Sequence, residues 1–136
     1  MSEGRKTILL VDDEAFQRER MRRALRASGY HVVVAADYHT AMASFQQHSG
    51  IIDILVTNLA LPGTNGYELG LTLRTVQPEL KVLYTSAQVG AELHRFYGME
   101  ATDQHFLAKP FQPAVFLRRV RYLLETAEPM RGSTGG

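Results

Sequence analysis

The chain has 136 residues, 15 Lys plus Arg against 14 Asp plus Glu, and no cysteine. That length suits one domain with a sizeable core. The net charge of +1 excludes, as whole-chain descriptions, a strongly basic nucleic-acid binder and an acidic disordered chain, and without cysteine there is no disulfide framework, thiolate metal site or cysteine nucleophile.

Residues 1–6 are polar and read as a flexible N-terminus, with one domain expected over 7–125 and a disordered tail over 126–136. The first apolar run, Ile8–Val11, is too short for a signal-peptide core, and no stretch approaches the roughly 20 apolar residues of a membrane span. The expectation is a cytoplasmic protein without membrane insertion.

Short apolar runs recur along the chain: Ile8–Val11, Val32–Ala35, Ile51–Val56, Val82–Tyr84 and Phe106–Ala108. None alternates cleanly with polar residues, which suits parallel strands covered on both faces. The segments between them read as helices. In the first, Met21, Ala24, Leu25 and Ser28 share a face, Arg18, Arg22, Arg23 and Arg26 are left outside, and Gly29 supplies the C-terminal stop. In the second, Asp37 is placed to cap, and Tyr38, Ala41, Met42 and Phe45 follow at helical spacing. The third follows Asn65-Gly66, carries Leu69 and Leu73, and stops near Pro78. The fourth is short, Ala91 to Tyr97, and is followed by a long loop. The last runs from Pro113 to Glu125, with Val115, Leu117, Val120 and Leu124 as the expected buried side.

Five strand–helix repeats predict an α/β fold, (βα)5, with a doubly wound five-stranded parallel sheet and right-handed crossovers. In such sheets the functional crevice lies beyond the carboxyl ends of the strands. Those ends carry Asp12-Asp13-Glu14, Thr57-Asn58 followed by Ala60 and Pro62, Thr85-Ser86, and Lys109-Pro110. Adjacent carboxylates favour a hard cation such as Mg²⁺. With a lysine and a hydroxyl opposite, they make a clamp for a phosphoryl group. A carboxylate nucleophile is what such a clamp would serve, and the central position is the amide Asn58. Taken alone, Asp12-Asp13 also fits a helix N-terminus.

These residues, in this order and spacing, resemble the receiver domain of two-component response regulators, the CheY-like family with its flavodoxin-like sheet, over about Thr7 to Leu124. The resemblance implies a module that is not an enzyme in its own right. Asp12 and Asp13 would hold Mg²⁺, Asp13 directly and Asp12 partly through water, with the carbonyl of Ala60 and the side chain at 58 completing the protein ligands. Lys109 would contact the phosphoryl oxygens, Thr85 would move toward them on activation, and Phe106 stands at the switch-aromatic position. The implied partners are a histidine kinase or phosphotransfer protein and an output protein, with the chain a monomer or weak dimer. At this length there is no room for a DNA-binding or enzymatic output, so the signal is expected to leave by protein contact.

One departure dominates. The family's phosphate-accepting Asp falls at Asn58, and an amide is a poor nucleophile that also removes a charge from the metal site. Asp53 cannot replace it, because it lies at the start of its strand and would face the other end of the sheet. Asn58 is either natural, in a degenerate receiver, or an engineered Asp-to-Asn form. In either case the function expected is phosphorelay signalling without phosphorylation at 58; the alternative is a constitutive, phosphate-independent interaction domain on the same fold. The arginines of the first and last helices (Arg18, Arg20, Arg22, Arg23, Arg26; Arg118, Arg119, Arg121) read as solvated faces, or else as a docking surface for an acidic partner. Neither a helix-turn-helix nor an aromatic stacking set supports nucleic-acid binding, and the five histidines lack metal-ligand spacing.

Overall fold

The computed structural model describes residues 4–87, 91–100 and 102–126. In chain order the elements are β1 (Thr7–Val11), α1 (Ala15–Ala27), β2 (His31–Ala35), α2 (Tyr38–Gln47), β3 (Ile54–Asn58), β4 (Ala60–Leu61), β5 (Thr64–Asn65), α3 (Gly66–Val76), β6 (Lys81–Ser86), α4 (Ala91–Tyr97), β7 (Phe106–Ala108) and α5 (Pro113–Glu125). The main sheet is parallel, in the order β2-β1-β3-β6-β7. Strand order reverses between β1 and β3, so the crevice expected of a doubly wound sheet opens between their carboxyl ends. The antiparallel β4–β5 ribbon is additional to the five expected strands; it forms where Gly63, at φ +81, turns the chain between Leu61 and Thr64.

The continuous apolar strands work as the pattern predicts. Along β1, Leu9 and Val11 point into a cluster with Ala41 and Phe45 of α2, Leu69 and Leu73 of α3 and Leu93 of α4. Ile8 and Leu10 point the other way, toward Met21 and Leu25 of α1 and Phe116 and Val120 of α5. Each such side chain contributes about 1.5–3 kcal/mol by leaving water, so both helix layers are held by the same three central strands.

The helix ends follow local chemistry. Gly29 adopts φ +96, its N–H donates to Arg26 O (3.0 Å), and the N–H of Tyr30 reaches Leu25 O (3.2 Å), the two-bond stop that only an easily left-handed residue closes cheaply. Asp37 caps α2 by accepting from Thr40 N (2.8 Å), and Asn65 caps α3 by accepting from Glu68 N (2.8 Å).

Three expectations need correction. β3 begins at Ile54, not Ile51: Ile51 is 55% exposed in a turn, and Asp53 spends its carboxylate on the N–H of Thr7 (2.8 Å) at the strand start. In α5 the deepest residues are Phe116, Val120 and Leu123, while Val115, Leu117 and Leu124 are half-buried. The buried stripe is rotated by one residue because Phe116 stacks on Phe111 (centroids 5.3 Å apart) and takes the deep position. In α1, Ser28 is exposed, and Arg18 is turned back onto the end of β1 instead of lying outside. The tail expected over 126–136 falls outside the described residues from 127 onward.

Candidate functional site

Asp12 follows β1 and is 1% exposed. Its Oδ1 accepts the N–H of Glu14 (2.9 Å), bending the chain into α1, and its Oδ2 accepts Lys109 Nζ (2.8 Å) from the far side of the sheet. The Asp12 carbonyl accepts Arg18 Nη1 (2.7 Å). Arg18 reaches it because helical side chains lean toward the N-terminal turn; that rule was the only sequence signal for it. A buried ion pair gains little over an apolar pair, but losing one partner leaves the other charge uncompensated. Lys109 and Asp12 therefore depend on each other.

Asp13 is exposed beside them. Asn58 ends β3, and its Nδ2 donates to the carbonyl of Ala60 (2.9 Å) and makes a longer contact with Asp13 Oδ1 (3.4 Å). Both neighbours are acceptors, so only the NH₂ side of the amide can face them. Thr85 is the β6 partner of Asn58 in the register. It is fully buried, its carbonyl accepts Leu59 N (2.8 Å), and its Oγ1 has no hydrogen-bond partner among the described residues. Lys109 is tied by its own N–H to Ser86 O (2.8 Å), and the Lys109–Pro110 peptide is cis.

The structure thus brings Asp12, Asp13, Asn58, Ala60, Thr85 and Lys109 to one edge of the sheet. Phe106 lies apart from them. It is fully buried beside Tyr84, its β6 partner, in the cluster under α2–α4. Gly66 opens α3 where a Cβ would lie 2.1 Å from the Asn58 carbonyl oxygen, so only glycine lets α3 start against the end of β3.

The donor set is all oxygen: two carboxylates and a carbonyl. That chemistry fits a hard cation, but weakly. Among the described residues no group of three or more His, Asp or Glu side chains could hold a metal, and the Asn58 amide nitrogen stands between two of the oxygens. No helix among the described residues is long and apolar enough to cross a membrane.

A five-stranded parallel sheet with this order, carrying paired aspartates, a lysine and a threonine at its carboxyl edge, defines a receiver. The chain matches the response regulator receiver domain over residues 8–121 and belongs to that family, whose work is two-component signal transduction. It is 31% identical over 126 residues to the phosphate regulon transcriptional regulatory protein PhoB of Pseudomonas aeruginosa, covering 91% of this chain and 54% of that protein. Among solved structures, it is similar to the non-phosphorylated HemR receiver domain of Leptospira biflexa (28% identity, TM-score 0.78, covering 93% of this chain and all of that one). It is also similar to a response regulator receiver protein of Sinorhizobium medicae (26% identity, TM-score 0.78, 92% and 98% covered). The chain spans about half the length of the curated relatives it matches.

Proposed function

We propose that this chain is a receiver whose phosphoacceptor position is held by Asn58, so that it is not phosphorylated there and signals by protein contact in the cytoplasm. The observation that carries this reading is the Asn58 amide, which lies at the end of β3 in register with Thr85 and donates to Ala60 O. A nucleophile at 58 would need an anionic oxygen where this chain has an N–H donor.

Asp12, Asp13 and the Ala60 carbonyl would hold Mg²⁺, with Asn58 contributing Oδ1 only after its amide has turned over. The ion would neutralise phosphoryl oxygens, as receivers of this family do with their acidic pocket. Lys109 would meet the same oxygens on leaving Asp12, and the buried Thr85 hydroxyl is the donor nearest in register to position 58. Phe106, buried beside Tyr84, would serve as the switch aromatic by leaving that cluster. The partners are a histidine kinase or phosphotransfer protein and an output protein, with no nucleic acid contact and no more than weak dimerisation. The domain is taken as 7–125.

The test is incubation with Mg²⁺ and acetyl phosphate followed by intact mass. No phosphoryl adduct is expected on this chain, and one adduct is expected on Asn58→Asp. An adduct at another Asp of the unaltered chain would overturn the assignment of position 58. A folded Asn58→Asp protein that stays unlabelled would favour the second reading, a constitutive interaction domain. That reading draws on the pocket's charges already pairing among themselves, Lys109 with Asp12 and the Asn58 amide with Ala60 and Asp13.

A further inference from the structure

The arginines of α1 and α5 divide by what they touch. Arg18 is spent on Asp12 O, Arg22 and Arg23 on Glu19, Arg119 on Phe106 O, and Arg121 on Glu125. Arg20 is exposed in a separate groove. Arg26 and Arg118, with Arg5 before β1, are exposed and have no carboxylate within ion-pair distance among the described residues.

These three line two neighbouring depressions that share Tyr30. One, of about 280 Å³, is bordered by Leu117, Arg118, Arg121 and Glu125. The other, of about 500 Å³, is bordered by Arg5, Arg26, His31 and His48 and by Val32, Val33 and Ile51, with Val32 and Val33 turned to opposite faces of the sheet and no carboxylate in its lining. The larger depression wraps the outer side of β2. That strand ends the sheet and pairs only with β1 among the described strands. Its sequence, His-Val-Val-Val-Ala, has none of the lysines, prolines or bulges that usually blunt an edge, and Val34 is 39% exposed.

We propose that the outer edge of β2 receives an extended acidic segment of a partner protein as an added strand, with its carboxylates set against Arg5 and Arg26 and its apolar residues over Val33 and Ile51. Strand addition supplies main-chain hydrogen bonds, and alternate side chains supply the selectivity. Charge chooses the occupant. A second copy of this chain would bring the same cations to the same edge and be repelled. A nucleic acid would meet apolar side chains and a strand edge, with the half-buried Tyr30 as the one large aromatic side chain in either lining beside the imidazoles of His31 and His48. The surface is separate from the phosphoacceptor pocket, so it stands whether or not Asn58 is read correctly.

The test uses the full ¹⁵N-labelled chain and a capped eight-residue peptide of alternating glutamate and valine, followed by amide shifts at low salt. Support is movement centred on residues 31–35 with Arg5 and Arg26, weakening of binding by about fivefold in Arg26→Glu, and little change in Arg20→Glu. Arg20 makes the same charge change but lines a different groove, with Met21 and Phe116. The proposal is overturned by amides 31–35 that stay still at millimolar peptide, or by equal weakening in both variants. A single-stranded oligonucleotide moving the same amides at lower concentration, or a lysine–valine peptide binding as well, would also overturn it. So would a mass in sedimentation that doubles as protein concentration rises with those amides shifting in step, which would make the edge a self-association surface.

Discussion

The two ends of the sheet handle charge in opposite ways. At the carboxyl ends of the strands, the charged and amide groups are turned on one another, and the buried Thr85 hydroxyl is left without a partner among the described residues: Lys109 holds Asp12, the Asn58 amide faces Ala60 and Asp13, and Arg18 closes on the Asp12 carbonyl. Around the outer edge of β2, Arg5 and Arg26 stand exposed beside apolar side chains, and their depression has no carboxylate in its lining. An acidic pocket is normally the part of such a sheet that waits for a ligand. Here the Asn58 amide donates to Ala60 O and meets Asp13, while Arg5 and Arg26 lie exposed at the other end, without an ion pair among the described residues.

Breaking the pocket's internal pairing should have the largest effect. Lys109→Met leaves Asp12, 1% exposed, without its cation, and should cost about 3 kcal/mol in urea denaturation at pH 7. Asp12→Asn in the same background should recover part of that loss; additive losses would mean the two do not act as a pair. Gly66→Ala comes next. Its new Cβ would lie 2.1 Å from the Asn58 carbonyl oxygen, so α3 must shift away from β3 at a cost of about 2 kcal/mol. Amide shifts of residues 57–60 would report the displacement, and a neutral result would mean the close approach is relieved at no cost.

Asn58→Asp is smaller but sharpens the contrast most. It replaces a donor to Ala60 O by a second acceptor and sets a charge beside Asp13. A loss of about 1 kcal/mol is expected without metal. Added Mg²⁺ should then raise the melting temperature of this variant more than that of the unaltered chain, since a ligand that binds the folded state more tightly stabilises it more at the same concentration. Equal metal responses in the two proteins would argue against a shared site at Asp12, Asp13 and Ala60.

Much of this was legible in the sequence, and for identifiable reasons. Continuous apolar runs placed the central strands because parallel strands are buried on both faces. Gly29, Asp37 and Pro113 marked helix ends because each solves a local backbone problem. Asp12, Asn58, Thr85 and Lys109 could be brought to one edge because strand ends converge once topology is known. What could not be read was rotation and partnership. The stripe on α5 slipped by one residue because aromatic stacking between Phe111 and Phe116, not periodicity, chose which side chain goes deepest. Arg18 looked like one more surface arginine, and only the packing of α1 against β1 separates it from Arg26. The direction of the Asn58 amide depends on the two acceptors it meets, one of them 45 residues away.

The smallest effect is expected from the surface pairs of α1, and it tests whether charge on this helix matters to folding at all. Hydrogen bonds from Arg22, and then from Arg23, hold the Glu19 carboxyl down at about 2, against 4.5 for the free group. A carboxyl lowered in the folded state favours folding above its unfolded value, and that contribution fades as pH falls from about 4.5 toward 2. Glu19 is exposed at 42% of its side chain, so solvent and salt screen most of the interaction. Glu19→Gln should therefore leave stability at pH 7 in 0.15 M salt almost unchanged, and should slightly flatten the loss between pH 5 and pH 3. Asp37, lowered by the backbone and hydroxyl of Thr40, titrates in the same window with the same sign. The comparison is thus made against an Asp37→Asn background, which keeps an oxygen for the cap while removing the charge. If Glu19→Gln instead lowers stability at neutral pH as much as Lys109→Met does, the pocket and the surface arginines do not differ in how much their pairing holds the fold. The pairs of α1 would then have to be counted among the interactions that hold the fold.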